Sequence, residues 1–341
     1  MQSVAVAVND GDYFEPSKMT VGQWLDTWAA EYLNSVKPRT VESYKANIKQ
    51  HIKPAVGALR LSELTAVDVQ RLYNNLTNKR TNKPLSAKSK KNVHGTLHKA
   101  LEKAVSLGYI RHNPADKPDL PKVQKAEIKP LADDEMISFL DVVKGCEYEA
   151  VYVTTLFTGM REGEVLGLTW DCIDFKGGTI TIKQQLQKVR ATGGEYILAP
   201  TKNGKTRIIA PANYVMQILT NQRKTQYEQR LKAGPAWSNP LNLVFTNAFG
   251  RNPCAQTVYL HFKKLAAAAG VPAARFHDLR HSYAVAALRS GDDIKTVQEN
   301  LGHHTAAFTL DTYAHVTEKM RQESAHRMDS FIEGIQAAKK A

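Results

Sequence analysis

The sequence predicts a mainly α-helical protein with a small antiparallel β-sheet, an α+β fold made of two domains. A length of 341 residues exceeds one ordinary domain and suits two, each able to bury its own core. Helical spacing of apolar residues dominates both halves, whereas strand patterns are confined to about residues 179–210. The predicted segments are an N-terminal tail at 1–18, a helical domain at 19–113, a linker at 114–130, a mixed domain at 131–325 and a C-terminal tail at 326–341.

Composition favours nucleic acid as the partner. Lys and Arg number 46 against 33 Asp and Glu, a formal net charge of +13, which attracts nucleic acid or an anionic membrane surface. No apolar run approaches the roughly 20 residues of a membrane span, and the apolar start at 4–8 lacks the basic region of a signal peptide. We therefore expect a cytoplasmic protein with no membrane partner. The odd, widely spaced cysteines predict free thiols rather than disulfides or a zinc cluster; they are Cys146, Cys172 and Cys254.

The helical domain begins with an amphipathic helix. Its apolar residues share one face at helical spacing: Val21, Trp24, Leu25 and Trp28. A second helix is predicted to start near Thr40, and Pro54 and Gly57 are predicted to break the helical pattern before it resumes at Val67.

A basic stretch follows within the same domain. Residues 69–101 contain no acidic residue. On a helix starting near Ser86, an apolar side is formed by Val93, Leu97, Ala100, Leu101 and Ala104. An ordinary solvated charged face is the alternative, but the absence of acids favours contact with a phosphate backbone. The candidate DNA-binding residues are Lys79, Arg80, Lys83, Lys88, Lys91 and Lys99.

The segment at 114–130 contains four prolines, which remove backbone donors and disfavour helix, so it is predicted to be a semi-extended linker. A flexible join between two basic domains would let them close around a duplex as a clamp.

The mixed domain is predicted to alternate helices and strands. Helices are expected near 133–144, 147–158 and 161–168, and strands at 179–187, 196–200 and 206–210. The pair Asn203-Gly204 predicts a tight hairpin, because both residues tolerate positive φ. From about residue 212 the pattern is again helical, with Gly270 and Gly291 as predicted helix stops.

Two residue pairs in this domain suit phosphate chemistry. Arg161 and Glu164 are three apart at the start of a predicted helix, so they share a face, and Arg161 presents a fork of donors matched to phosphate oxygens. An ordinary surface ion pair is the alternative. His277 and Arg280 repeat the spacing and pair a proton carrier with a phosphate binder. His277 and His281 are four apart, as in some metal sites, but the adjacent guanidinium opposes a dication, so no metal is expected.

Three further residues could move or hold protons. Lys202 precedes the predicted turn and could donate a proton to a leaving alkoxide, although Lys205 and Arg207 compete for this role. His303 follows Leu-Gly in a predicted turn. Tyr313, ten residues later near the end of a short helix, would need nearby positive charge or a base to act as a nucleophile.

In this order the motifs closely resemble the tyrosine recombinase (phage integrase) family, in particular the integrases of temperate phages and conjugative transposons. The motifs are Arg161 with Glu164, Lys202, His277-Asp278-Leu279-Arg280-His281, Leu301-Gly302-His303 and Leu310-Asp311-Thr312-Tyr313. The resemblance spans about residues 20–325 and identifies the helical domain with the family's core-binding (SAM-like) domain and the mixed domain with its catalytic domain.

The resemblance implies residue roles. Tyr313 would be the nucleophile that forms a 3′-phosphotyrosyl bond. Arg161 and Arg280 would bind the non-bridging phosphate oxygens, and Lys202 would protonate the leaving 5′ oxygen. The remaining roles are proton transfer by His277, a phosphate hydrogen bond from His303 and support by Glu164, with no metal, ATP or other cofactor.

The resemblance also implies partners. These would be double-stranded DNA attachment sites, a homo-tetramer passing through a Holliday junction, a directionality factor (excisionase), a host DNA-bending protein, and a bacterial, nucleoid-associated location. Residues 1–18 would be the remnant of an arm-binding domain, and the C-terminal helix would dock on a neighbouring subunit or on its own domain. A type IB topoisomerase and a non-catalytic DNA-binding protein on the same scaffold are the alternatives.

Overall fold

A computed structural model describes residues 18–124, 129–189, 193–303 and 317–338. The chain divides into two compact units, Met1–Ala126 and Glu127–Ala341. Each unit has its own buried apolar core. The fold is mainly helical with small antiparallel sheets, as predicted.

In the part of the first unit that the structure describes, the regular elements are helices, and the only strand-like pairings are two isolated β-bridges. Its helices are α1 (Val21–Glu31), α2 (Pro38–Asn47), a π-helical turn (Ile48–Ile52), α3 (Lys53–Val56), α4 (Ala66–Asn74) and α5 (Ala87–Ser106). Thr20 caps α1 reciprocally with Gln23, because each side chain accepts a hydrogen bond from the backbone N–H of the other. The predicted apolar face of α1 is buried, and Trp24 Nε1 donates to Ala100 O of α5 at 2.9 Å.

The predicted break at Pro54 is wrong. The helical path continues from α2 through the π-helical turn into α3, and Pro54 lies in the first turn of that last segment. Proline is tolerated there because the first helical turn does not need its missing N–H. Gly57 does end the helix, and its N–H donates to Lys53 O at 3.0 Å.

Helix α5 has the two faces that the sequence predicts. Each of the five predicted apolar residues is at most 1% exposed. Lys88, Lys91 and Lys99 are exposed on the other side, as are the three basic residues of the preceding loop, Lys79, Arg80 and Lys83. The first unit therefore presents a basic surface that its own core does not use.

Part of the predicted linker packs on the first unit. Ala115 is fully buried in the helical core. Gln70 of α4 bonds the backbone of Asp119 in both directions, accepting from its N–H at 2.7 Å and donating to its carbonyl at 3.3 Å. These contacts fix the course of the chain up to at least Asp119.

The second unit is built around α7. Its helices are α6 (Asp133–Val143), α7 (Glu149–Thr158), α8 (Glu162–Leu166), α9 (Asn213–Ala233), α10 (Ala255–Ala268), α11 (Phe276–Arg289), α12 (Ile294–Leu301) and α13 (Thr317–Ala338). Helix α7 is apolar on nearly every side and packs against α9 and α11, which places it at the centre of the core. Gly270 and Gly291 follow α10 and α11 with positive φ, as predicted for helix stops.

The strands are β1 (Ile173–Asp174), β2 (Thr179–Ile182), β3 (Gln184–Val189), β4 (Glu195–Pro200) and β5 (Arg207–Ile209). They pair antiparallel in the orders β1-β2-β5 and β3-β4. The predicted hairpin at Asn203-Gly204 is wrong, because β4 and β5 pair with different strands. Ile182 faces Arg207 and Gln184 faces Pro200, so residues 201–206 form a six-residue excursion opposite the single residue Lys183. This excursion, here called the 201–206 loop, projects from the ladder.

Helix α13 exposes several large apolar side chains, namely Met328, Phe331, Ile332 and Ile335. Across the described ranges, no helix is both long enough and apolar enough to span a membrane.

Candidate active site

The first residue of the site along the chain is Gly159, where the backbone turns sharply from α7 into α8. It ends α7 with φ +65°, and a Cβ there would lie 2.5 Å from a Tyr283 ring carbon and 2.6 Å from a Leu301 methyl carbon. Two residues later Arg161 is the N-cap of α8. Its backbone N–H donates to Glu164 Oε2 at 3.0 Å, and its Nη1 donates to Oε1 at 2.7 Å. The predicted pair is therefore formed.

Glu164 is a buried anion rather than half of a surface ion pair. Its side chain is 1% exposed, and both Arg161 and Arg207 bind its carboxylate. Burial raises the pKa of Glu164, but the hydrogen bond and charge of Arg207, followed by the charge of Arg161, outweigh it and lower the pKa to about 2. Glu164 is therefore ionised at neutral pH.

Arg280 joins two segments that are distant in the chain. It is 1% exposed, and its Nη1 donates to Gly159 O at 2.6 Å while its Nη2 donates to Leu301 O at 2.6 Å. The next carbonyl, that of Gly302, accepts from Arg161 Nη2 at 3.2 Å. The ends of α7 and α12 are thereby brought together around two guanidinium groups.

The histidines of the site are held in their neutral forms. Desolvation, then the charges of Arg280 and Arg161, lower the pKa of His277. The same causes lower the pKa of His303 to about 3. Desolvation, then the neighbouring His277, lowers the pKa of His281 to about 4, and these two rings lie edge to face at 4.8 Å between centroids. A neutral imidazole can accept a proton through one nitrogen and donate a hydrogen bond through the other.

A cleft of about 480 Å³ adjoins these groups. Arg161, Gly302 and His303 line one side, and the 201–206 loop contributes Asn203 and Lys205. The Asn203 side chain donates to Gly302 O at 3.2 Å, which fixes the loop to the end of α12.

Three residues are candidates for donating a proton to the leaving oxygen, and the structure removes one of them. Arg207 is committed to Glu164 and to Asn300 O, so it is not placed as a proton donor to substrate. Lys205 lines the cleft, whereas Lys202 lies exposed in the turn beside it. The role of Lys202 stays a prediction.

Four predicted site residues therefore converge with their supporting glutamate: Arg161, His277, Arg280, His303 and Glu164. Tyr313 lies outside the described residues. In the part of the chain that the structure describes, His98, Glu102 and Asp116 of the first unit form a group of three side chains close enough to share a metal ion.

Sequence reasoning missed two contributions to the site. One is the Gly302 carbonyl, a backbone acceptor that carries no side-chain signal. The other is Arg207, which the sequence offered only as a competitor of Lys202. Its partner Glu164 lies on α8, 43 residues away in the chain, so only the tertiary fold brings the two side chains together.

Comparison with known proteins adds family and fold. The phage integrase family matches residues 129–320, and the phage integrase N-terminal SAM-like domain matches residues 20–77. A tyrosine recombinase XerC-like protein of Caldanaerobacter subterraneus subsp. tengcongensis is 29% identical over 333 residues, covering 92% of this chain and 84% of that protein. The ICEBs1 integrase of Bacillus subtilis is 22% identical and covers 87% of this chain and 79% of its own length.

Two solved structures share the fold. The Tn1549 transposon integrase in complex with transposon right-end DNA has a TM-score of 0.76 at 23% identity, covering 91% of this chain and 100% of that one. A lambda integrase dimer bound to a core site has a TM-score of 0.63 at 20% identity, covering 86% of this chain and 95% of that one.

Proposed function

Because this chain belongs to the phage integrase family, and is therefore a tyrosine-type site-specific DNA recombinase, we propose that the residues converging beside α12 hold the scissile phosphate. The observation that carries the proposal is the junction of Arg161, Arg280 and His303 at the ends of α7 and α12. Arg161 and Arg280 would bind the non-bridging oxygens. Arg280 donates to the neutral carbonyls of Gly159 and Leu301, and its guanidinium is a fork of donors that matches the geometry of phosphate oxygens.

The reaction is a transfer of the phosphoryl group from one oxygen to another. The phenol oxygen of Tyr313 attacks phosphorus, the bond to the 5′ oxygen breaks, and a 3′-phosphotyrosyl bond forms. The phenol proton passes to neutral His277, and Lys202 supplies a proton to the leaving 5′ oxygen. Rejoining is the reverse reaction with a new 5′ hydroxyl. The phosphotyrosyl bond conserves the phosphodiester energy, so the chemistry requires neither ATP nor a metal.

The neutral state of the histidines supports these roles. His277 can accept the phenol proton only when it is unprotonated, and its lowered pKa provides that form at neutral pH. His303 can donate a hydrogen bond to the phosphate while neutral. Two guanidiniums and a lysine would then offset the charge that develops in the transition state, which is the main contribution in phosphoryl transfer.

The basic surface of the first unit would bind the flanking duplex, with both units closing around the DNA as a clamp. Separate cores and the exposed lysines of α5 support this. The partners proposed are two attachment sites, a homo-tetramer that passes through a Holliday junction, a directionality factor and a host DNA-bending protein. A type IB topoisomerase would share the chemistry, but no feature of the site favours it among the residues that the structure describes.

The test uses a nicked suicide duplex carrying the junction sequence from the ends of the parent mobile element. Wild type and Tyr313→Phe are incubated with it in EDTA, and covalent protein–DNA complex is measured on a denaturing gel. We expect a complex with wild type only, while both proteins bind the duplex equally. A covalent complex with Tyr313→Phe would refute the nucleophile. Tight binding without a covalent complex in wild type would indicate a non-catalytic binder.

A further inference from the structure

Arg207 is held in the site by three hydrogen bonds, although the family resemblance assigns it no role. Its side chain is 11% exposed. Nη2 donates to Glu164 Oε2 at 2.6 Å, Nη1 donates to Glu164 Oε1 at 3.2 Å, and Nε donates to Asn300 O at 2.8 Å. One planar group therefore holds a buried carboxylate and the last turn of α12.

The carboxylate of Glu164 is shared evenly between its two cations. Oε1 accepts from Arg161 Nη1 and Arg207 Nη1, and Oε2 accepts from the Arg161 backbone N–H and Arg207 Nη2. Arg161 consequently spends one terminal nitrogen on Glu164, and its other terminal nitrogen points to the Gly302 carbonyl at the cleft. A two-pronged pair between Arg161 and Glu164 would withdraw that second nitrogen.

The position of α12 depends on the same guanidinium. Asn300 is fixed by Arg207 through its carbonyl and by Tyr283, whose hydroxyl accepts from Asn300 Nδ2 at 3.0 Å. Leu301, Gly302 and His303 follow directly and carry the carbonyls and the imidazole of the site. Movement of Arg207 would therefore move the groups that face the phosphate.

Gly302 is matched to this contact. It ends α12 with φ +63°, and a Cβ there would lie 3.1 Å from Arg207 Nη1 and 3.2 Å from Arg207 Cδ. Glycine is thus needed both for the backbone conformation and for the close approach of the guanidinium.

From this geometry we infer that Arg207 is a positioning residue for strand cleavage. It donates one hydrogen bond to each oxygen of Glu164, so that Arg161 stays directed at the phosphate. It also anchors the end of α12 that carries His303. The inference rests on the proposed function. It assigns Arg207 no contact with substrate and no proton transfer.

The first experiment compares five proteins in single-turnover cleavage of the suicide duplex: wild type, Arg207→Met, Arg207→Lys, Glu164→Gln and the double variant of Arg207→Met with Glu164→Gln. Arg207→Met should slow cleavage by about 100-fold, the size of effect that small misplacements in an active site produce. The double variant should be at least about tenfold faster than Arg207→Met, because a neutral glutamine needs no second cation and releases Arg161. Arg207→Lys should be intermediate, since it restores charge without the fork.

The matched control is Arg289→Met. Arg289 makes a two-pronged pair with Asp133, at 2.7 Å for both bonds, at the far end of α11. The Arg289→Met substitution should lower the melting temperature without slowing cleavage. If Arg207 merely stabilised the fold, its substitution would behave like this control, and adding Glu164→Gln would not restore the rate.

The second experiment separates positioning from proton donation. A duplex with sulfur in place of the leaving 5′ oxygen needs no proton on the leaving group, because a thiolate is a far weaker base than an alkoxide. Arg207→Met should remain slow on this substrate. Recovery of the wild-type rate there would overturn the inference by making Arg207 the acid.

Failure of this inference and failure of the proposed function give different results. No covalent complex with wild type refutes the proposed function, and the positioning role with it. A normal wild-type complex together with undiminished cleavage by folded Arg207→Met refutes the inference alone. The inference is equally overturned if the double variant is no faster than Arg207→Met.

Discussion

The cationic side chains of the two units are held in opposite ways. In the second unit, Arg207 and Arg280 are 11% and 1% exposed, and their donors bind particular oxygens within 3.2 Å. In the first unit, Lys88, Lys91 and Lys99 stand exposed on one face of α5. A buried guanidinium has a fixed direction, so its contribution depends on geometry. An exposed lysine acts as a mobile charge, so its contribution is additive and screened by salt.

This difference separates catalysis from affinity. Substitution in the buried set should change the rate of cleavage with little effect on binding. Substitution in the exposed set should change binding and its salt dependence with little effect on the rate once DNA is saturating.

Among substitutions of the buried and exposed cations, the largest effect is expected for Arg280→Ala. It removes a phosphate-binding guanidinium and leaves the carbonyls of Gly159 and Leu301 without their donor. We expect a loss of about 4 kcal/mol or more in transition-state stabilisation, roughly a thousandfold in rate. Single-turnover cleavage of the suicide duplex and the Kd for that duplex should both be measured. A Kd that weakens as much as the rate would erase the proposed separation of catalysis from affinity.

A smaller effect on binding is expected for the double substitution Lys88→Gln and Lys91→Gln. If both lysines contact phosphates, the slope of log K against log salt should become shallower by about 2, because each lost contact removes about 0.9 from the slope. The cleavage rate at saturating DNA should not change. A matched pair of substitutions at exposed Lys224 and Lys232 of α9 serves as the control. An unchanged slope in the α5 variant would show that this face is only solvated.

The pH dependence of stability tests the buried side of the comparison. The pKa of His281 is lowered to about 4 and that of His303 to about 3, so the unfolded chain binds more protons than the folded one below pH 6.5. The free energy of unfolding should therefore fall as pH decreases from 6.5 to about 4.5. Glu164, whose pKa falls from 4.5 to about 2 on folding, adds to this loss of stability from about pH 5 downward.

Denaturant unfolding at several pH values checks this expectation, with His303→Gln as the comparison. The variant should show a weaker dependence on pH between 4.5 and 6.5. An equal dependence in both proteins would mean that His303 is not held neutral by its surroundings.

The sequence predicted the features that depend on local pattern. It did not predict those that depend on which distant segments of the chain meet. The buried face of α5 follows from helical spacing alone, and so does the pairing of Arg161 with Glu164 at the start of α8. The hairpin at Asn203-Gly204 was wrong because a turn signal does not say which strands pair. The predicted break at Pro54 was wrong because a helix tolerates proline in its first turn, and the sequence does not say where that turn lies. Arg207 was assigned no partner because its carboxylate, that of Glu164, lies on a helix 43 residues away in the chain.

The smallest effect is expected for Asn203→Ala. Asn203 shares features with both the buried, fixed side chains and the exposed, mobile ones. Asn203 is exposed, yet its side chain donates to Gly302 O at 3.2 Å, the carbonyl that also accepts from Arg161. Loss of one such bond is worth about 0.5–1.5 kcal/mol, so cleavage should slow less than tenfold with no change in salt slope. Asn203→Asp should be slower than Asn203→Ala, because a carboxylate cannot donate to that carbonyl and reduces the positive potential of the cleft. If Asn203→Ala instead slowed cleavage as much as Arg280→Ala does, the 201–206 loop would behave as part of the fixed arginine network. Exposure would in that case no longer distinguish residues that set the rate from those that set affinity.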